Sequence, residues 1–124
     1  MKQYRIDPSK GLEFGIYTLG DHLPNPLTGE RISAQERVQE IIEYAKLADE
    51  AGIDFFSVGE SHQEYFATQA HSVVLGAIAQ ATKNIKIASS STIISTSDPV
   101  RVYEDFATID LISNRRAEIV AGRA

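Results

Sequence analysis

Short apolar segments alternate with longer amphipathic segments along the chain. The apolar segments cover residues 12–19, 53–58, 85–90 and 117–121 and are rich in β-branched and aromatic residues, which predicts four β-strands. Several of them place apolar side chains on both faces, as strands covered on both sides require. Three helical patterns separate the strands, and this alternation is typical of βαβ units in a parallel sheet.

The first helical pattern has a well-specified start and stop. Ser33 and Glu36 form a capping box, in which each side chain satisfies a backbone donor at the helix start. Gly52 provides a left-handed residue at the other end. The apolar residues between them recur at spacings of three and four and form one stripe, which predicts a helix lying on the sheet: Val38, Ile41, Ile42, Ala45 and Ala48.

The second helical pattern, over residues 70–82, is apolar around most of its circumference. Such a helix should be buried on more than one side. One side can face the sheet, and either a second subunit or another part of the same barrel would cover the other. A third helix is predicted to begin at Asp98 and Pro99, an N-cap acid followed by proline at the first helical position, and to close near Asn114.

The fourth strand follows the third helix directly, and the sequence ends at Ala124 without a helix to cover that strand. A closed eight-stranded α/β barrel takes roughly 250 residues. We therefore expect residues 1–124 to form a single partial domain with four strands and three intervening helices. The apolar surface of the fourth strand and of the second helix would then have to be buried by a second copy of the chain or by a C-terminal half of the barrel.

Charge and cysteine content narrow the classes of function. The chain has 12 basic and 17 acidic residues, a formal net charge of −5, which gives no electrostatic reason to expect nucleic acid or an anionic membrane as a partner. Without cysteine there is no disulfide framework and no thiolate zinc site. No apolar run approaches the roughly 18 residues of a membrane span, so we expect a soluble cytoplasmic protein.

Polar and small residues follow each predicted strand, where α/β barrels bind their ligands. A Pro- and Gly-containing loop, residues 20–32, follows the first strand and could cover a pocket. The second strand is followed by Gly59-Glu60-Ser61-His62, the third by Ser89-Ser90-Ser91-Thr92 and the fourth by Gly122-Arg123. No histidine pair has zinc-site spacing, so no metal site is predicted, and no Walker-type or dinucleotide-type glycine pattern occurs.

The ordered set of these motifs resembles the bacterial luciferase-like monooxygenases. It comprises Gly-Glu-x-His after strand two, the serine run after strand three, Asp98-Pro99-Val100-Arg101 opening helix three, Glu104-Asp105-Phe106-Ala107-Thr108 within it, and Gly122-Arg123 closing strand four. The resemblance implies the N-terminal half of a (β/α)8 TIM barrel with four parallel strands. It also implies reduced FMN supplied by a separate flavin reductase, dioxygen and an organic small-molecule substrate, and a homodimer formed through helices two and three.

The resemblance also assigns roles to residues. His62 is the expected catalytic residue, because an imidazole can pass protons near neutral pH. The expected flavin contacts are made by Glu60, Ser90, Ser91, Gly122 and Arg123. The Ser90–Ser91 bond matches a position where the family has a non-proline cis peptide. Ser61 stands where luciferases commonly have the first of two histidines, which argues against light emission.

Three other functions are compatible with the sequence. A deazaflavin-dependent reductase of the same superfamily would transfer hydride and use no oxygen. A non-catalytic half-barrel would bind no cofactor and would pair with itself or with a C-terminal half. A barrel hydrolase or isomerase would use Glu60, His62 and Glu64 without a flavin.

Overall fold

The computed structural model describes residues 8–123, with three α-helices and six short strands. A 3-10 turn at Pro8–Lys10 precedes the first strand. The helices are α1 (Ala34–Glu50), α2 (His71–Ala81) and α3 (Pro99–Ile112). The strands are β1 (Gly15–Thr18), β2 (Phe55–Val58), β3 (Lys86–Ser89), β4 (Thr92–Ile93), β5 (Ala117–Glu118) and β6 (Ala121–Gly122).

All strand pairs in the main sheet are parallel, as the alternation of strands and helices predicted. The order is β1-β2-β3-β5, and a helix lies between each pair of neighbours in that sheet. Gly15 is aligned with Phe55, and Phe55 with Lys86, so the first three strands begin in register. Their carboxyl ends therefore meet at one edge of the sheet, where the loops after each strand lie side by side.

The fourth predicted strand, residues 117–121, is divided in two. β5 pairs with β3, whereas β6 pairs with β4 in a separate two-stranded sheet. Between β5 and β6, the side chain of Ser89 takes the place of a backbone partner for the N–H of Val120. Its hydroxyl accepts from the N–H of Val120 at 3.0 Å and donates to the carbonyl of Val120 at 3.3 Å. The prediction of one continuous strand was wrong because a side chain here pairs with backbone.

The helix boundaries agree closely with the predicted ones. The capping box of Ser33 and Glu36 is present, and Gly52 has the left-handed φ of +76° that ends α1. Asp98 caps α3 by accepting from the N–H of Arg101, and Asn114 follows with a φ of +56°. Within residues 8–123, no helix is long and apolar enough to cross a membrane.

The core lies between one face of the sheet and the three helices. Ile41 and Ala45 of α1, Leu75 of α2 and Phe56 of β2 are all buried there. α1 and α3 both pack against α2, so this chain covers α2 on two sides and leaves a strip at Val73 and Ala77 exposed. Of the two kinds of cover that we expected for α2, the structure shows the one supplied by neighbouring elements of the same chain.

Two strands are not buried on both faces, although their apolar sequences predict that they would be. Tyr17 of β1 is 67% exposed, and Ile119 and Val120, between β5 and β6, are 46% and 52% exposed. These strands form the two outer positions of the four-stranded sheet. The expectation that both faces of 117–121 are covered is therefore not met within residues 8–123.

The opposite, amino-terminal edge of the sheet is held by two charged side chains. The Asp49 carboxylate, at the end of α1, accepts from the backbone N–H groups of Lys83, Asn84 and Ile85 at 2.6, 2.9 and 2.8 Å. The Arg116 guanidinium donates to backbone carbonyls at the end of α2 and the start of β3, including that of Ile85 at 2.6 Å. Together they tie α1, α2 and the strand ends into one unit.

Candidate active site

The loops after β1, β2 and β3 are joined by backbone hydrogen bonds at the carboxyl edge of the sheet. Gly59 donates to the carbonyl of Thr18 at 2.9 Å, Ser90 donates to that of Val58 at 3.0 Å, and Glu60 donates to that of Ser91 at 3.2 Å. These bonds continue the parallel ladder one step beyond the strands. They bring the Gly-Glu-Ser-His segment beside the serine run, as the sequence predicted for this edge.

Glu60 occupies the centre of this edge. Its side chain is only 9% exposed, and its two oxygens have different partners. Oε1 lies 2.7 Å from Nε2 of His62, and Oε2 accepts from the backbone N–H of Ile93 at 2.7 Å. Glu60 is therefore a fixed, buried acceptor and not a free surface carboxylate.

The electrostatic surroundings favour the ionised form of Glu60. Burial by itself raises the pKa of Glu60, but the hydrogen bonds from His62 and from the Ile93 amide, with the nearby imidazole of His71, outweigh burial and leave the pKa lowered. An ionised carboxylate only accepts hydrogen bonds, so Nε2 of His62 carries the proton in this contact. Nδ1 is the ring nitrogen of His62 that does not face Glu60, on a side chain that is 60% exposed.

His71, the first residue of α2, joins the same cluster. Its side chain is 7% exposed, its Nε2 lies 2.9 Å from the hydroxyl oxygen of Thr92, and its Nδ1 lies 3.7 Å from Oε2 of Glu60. Burial lowers the pKa of His71 more than the neighbouring carboxylates of Glu60 and Asp105 raise it, so the neutral imidazole is favoured. Neither His71 nor Thr92 is among the residues that the sequence predicts for the site.

The serine run lies next to Glu60. The hydroxyl of Ser90 is buried and is one of two buried side-chain polar atoms within residues 8–123 that have no hydrogen-bond partner. A buried hydroxyl without a partner is unusual and favours a bound group that would supply one. All described peptide bonds are trans, including the Ser90–Ser91 bond, where the resemblance implies a cis bond and the spacing alone favours an ordinary strand end.

Gly122, in β6, brings bare backbone against the serine run. A Cβ added to Gly122 would collide with Oγ of Ser91 and lie 2.9 Å from its Cβ, so a side chain at this position would displace Ser91. Arg123 follows β6 as an exposed residue at the same edge of the sheet. Glu60 and His62 thus follow β2, and Ser90 and Ser91 follow the neighbouring β3. Gly122 lies within β6 against the serine run, and Arg123 follows it.

The other candidate groups lie elsewhere or have structural partners. His22 lies in the loop after β1, where its Nδ1 is 3.3 Å from the carbonyl oxygen of Ile32, and Glu64 is exposed. On α3, Arg101 pairs with Glu104 at the surface, while Asp105 accepts from the hydroxyl of Ser72 at 2.8 Å. Among residues 8–123, no group of three or more histidine or acidic side chains is arranged to hold a metal ion.

Comparison with known proteins identifies relatives along almost the whole chain. A family model described as luciferase-like monooxygenase matches residues 12–124. The N-acetyl-S-alkylcysteine monooxygenase of Bacillus subtilis (strain 168) is 29% identical over 103 residues, which are 82% of this chain and 31% of that protein. The chain thus spans about a third of the length of the curated relatives that it matches.

Solved structures share the same arrangement of strands and helices. The oxygenating constituent of 3,6-diketocamphane monooxygenase from Pseudomonas putida, solved in complex with FMN, is similar with a TM-score of 0.77 at 22% identity, over 89% of this chain and 29% of that one. The coenzyme F420-dependent tetrahydromethanopterin reductase of Methanopyrus kandleri is similar with a TM-score of 0.67 at 26% identity, over 89% and 26% respectively. These likenesses agree with the expected first half of a (β/α)8 barrel.

Proposed function

Because the chain belongs to the luciferase-like monooxygenase family, we propose that it contributes the amino-terminal half of the active site of a flavin-dependent oxidoreductase. The proposed reaction is a monooxygenation that uses reduced FMN and dioxygen on a small organic substrate. Residues 1–124 are proposed as one partial domain. The chain spans about a third of the length of its relatives. The proposed activity is therefore that of a whole protein of which this chain forms one part.

The observation that carries this proposal is the Glu60–His62 contact at the carboxyl edge of a parallel sheet. Glu60 holds Nε2 of His62 at 2.7 Å and keeps it protonated, so that Nδ1 is available to accept a proton from a substrate. Because the carboxylate is buried and bonded to the Ile93 amide, the imidazole is held in one orientation relative to the sheet. This geometry suits general acid–base work by His62.

The residues around this pair fit a flavin. The partnerless hydroxyl of Ser90 offers a hydrogen bond, and the lack of a side chain at Gly122 lets Ser91 pack directly against its backbone beside Ser90. Arg123 could add a positive charge toward a phosphate or a ring oxygen. When bound, reduced FMN would supply the redox chemistry with dioxygen. The protein's part is to position the flavin and the substrate against Glu60 and His62.

Several properties of the whole protein follow as proposals. A separate flavin reductase would deliver the reduced FMN. A deazaflavin is the alternative cofactor, and the likeness to a coenzyme F420-dependent reductase supports this alternative. Homodimer contacts through α2 and α3 are supported by exposed Val73 and Tyr103 on those helices, and a cytoplasmic location is proposed.

A cofactor titration tests the proposal. Adding the chain to FMN, and separately to a deazaflavin cofactor, should give saturable quenching of cofactor fluorescence, stronger for FMN. The Gly122→Ala chain should bind several-fold more weakly, because the new methyl group would displace Ser91. Gly76→Ala is the matched control, since a Cβ at Gly76 on α2 meets no atom within 4 Å.

The outcomes separate the candidates. Stronger binding of the deazaflavin would replace the monooxygenase by the reductase, and equal binding by the Gly122→Ala and wild-type chains would remove the serine run from the cofactor site. Binding of neither cofactor would refute the flavin assignment for this chain. The second candidate, a half-barrel that self-associates without cofactor, would then be favoured, because Tyr17 and the adjoining apolar residues of the outer strand are exposed.

A further inference from the structure

His71 is buried between two groups that its ring nitrogens face from opposite sides. Nε2 is 2.9 Å from the hydroxyl oxygen of Thr92, which is a hydrogen bond. Nδ1 is 3.7 Å from Oε2 of Glu60, which is longer than a hydrogen bond but close for a charged neighbour. The backbone places Thr92 in β4 and His71 at the start of α2, so both positions are set by regular structure.

These two neighbours select one tautomer of the imidazole. A neutral histidine has one N–H and one nitrogen lone pair, and the ionised carboxylate of Glu60 has only lone pairs. A lone pair on Nδ1 would repel Oε2, whereas an N–H there would attract it. The Thr92 hydroxyl can donate or accept, so it can donate to an unprotonated Nε2.

We propose that His71 is a positioning residue for the Glu60–His62 pair. The Thr92 hydroxyl donates to Nε2 of His71, and the N–H at Nδ1 faces Oε2 of Glu60. Together with the Ile93 amide, this N–H holds Oε2 on the inner side of the cluster and leaves Oε1 directed at His62. Its importance for catalysis rests on the proposed function, whereas the arrangement itself is a property of this chain.

The remaining groups around His71 agree with this orientation. The ring of Phe106 on α3 lies 6.1 Å from the imidazole, centroid to centroid, at an interplanar angle of 49°. Asp105, the other acidic side chain that acts on His71, is already bonded to the hydroxyl of Ser72 at 2.8 Å. Glu60 is thus the carboxylate within contact distance of an imidazole nitrogen of His71.

Nitrogen NMR of the imidazole rings tests the inference directly. The chain contains three histidines, so His22→Gln and His62→Gln variants assign the signals. In the wild type at neutral pH, His71 should show a protonated Nδ1 and an unprotonated Nε2. Thr92→Val removes the hydroxyl donor with little change of shape and should reduce the population of this tautomer. Thr92→Ser keeps the hydroxyl and should preserve it.

A second readout follows Glu60. The carboxyl carbon of Glu60 should titrate below the range of an ordinary glutamate in the wild type and in Thr92→Ser. In His71→Leu the pKa of Glu60 should rise, because the imidazole facing Oε2 is lost. In Thr92→Val it should rise by a smaller amount, because the population with an N–H at Nδ1 falls. Amide spectra establish that each variant is folded. If one threonine variant does not fold, His71→Leu against His71→Gln, which keeps a donor, makes the same comparison.

A protonated Nε2 on wild-type His71 would overturn the inference, and so would a Glu60 titration that is the same in all variants. Neither result depends on cofactor binding. If the wild-type chain shows the predicted His71 tautomer but does not bind FMN, only the proposed function is refuted. If it binds FMN but shows the opposite tautomer, only the positioning role is refuted.

Discussion

Replacing Asp49 by alanine should destabilise the fold by about 2.5 kcal/mol. The carboxylate accepts three backbone N–H groups, of which that of Ile85 is partly buried and those of Lys83 and Asn84 are exposed. A hydrogen bond to a charged group contributes about 2 kcal/mol where water cannot replace it and about 0.5 kcal/mol where it can. The three hydrogen bonds together contribute about 3 kcal/mol. The higher helix propensity of alanine offsets about 0.5 kcal/mol of that loss.

Urea unfolding followed by circular dichroism measures this change. With a slope of about 2 kcal/mol per molar urea, the midpoint should fall by rather more than about 1 M. Glu50→Ala is the matched control, since Glu50 is the next residue of α1 and is exposed, and it should change stability by less than about 0.5 kcal/mol. Equal midpoints for the two variants would refute the assigned role of Asp49.

The effect of Asp49 should also depend on pH. Burial raises the pKa of Asp49, but the three backbone hydrogen bonds and the charge of Arg116 outweigh it, so the pKa is lowered in the folded chain. A lowered pKa contributes stability that is complete above the unfolded value, near about 3.9, and is lost as the pH falls through the folded value. The difference between wild type and Asp49→Ala should therefore shrink between about pH 5 and about pH 3. A difference that is constant with pH would contradict the electrostatic part of the reasoning.

Two further predictions concern the start of α3 and the open sheet. Asp98→Ala removes the side-chain acceptor for the N–H of Arg101 and should cost about 1 kcal/mol in urea unfolding, whereas Asp98→Ser keeps an acceptor and should cost less; a smaller loss for alanine than for serine would contradict the cap. If the exposed apolar face of β1 drives self-association, light scattering should show a mass that rises with protein concentration, and Tyr17→Lys should lower it. A constant monomer mass would count against the self-associating half-barrel.

Much of the fold could be predicted from the sequence because its signals are local. The Ser33–Glu36 box and Gly52 define α1 through interactions within one helical turn of its ends, and Asp98 with Pro99 does the same for the start of α3. The alternation of strand and helix patterns implies parallel pairing, since parallel neighbours need a crossover. Parallel strands in turn bring Glu60, His62, the serine run and Gly122 to one edge.

The partners of these residues required the tertiary structure. His71 is a polar residue at the start of a mostly apolar helix, and that signal could have marked it as a candidate. Nothing local, however, pairs it with Thr92, 21 positions later. Ser89 divides the fourth strand because the fold brings its hydroxyl to the backbone of Val120. Similarly, nothing in the sequence around Asp49 or Arg116 indicates that these charged side chains bind backbone groups of distant segments.

The sequence by itself therefore determined the three helices with their ends, the first three strands and the edge of the sheet where the candidate site lies. Periodicity and capping act over three or four residues, so they can be read without coordinates. Only the tertiary structure decided which atoms meet at that edge: which oxygen of Glu60 faces His62, which faces His71, and that the Ser90 hydroxyl is buried without a partner. Those contacts depend on side-chain positions within tenths of an ångström, and they join residues that are far apart in the chain.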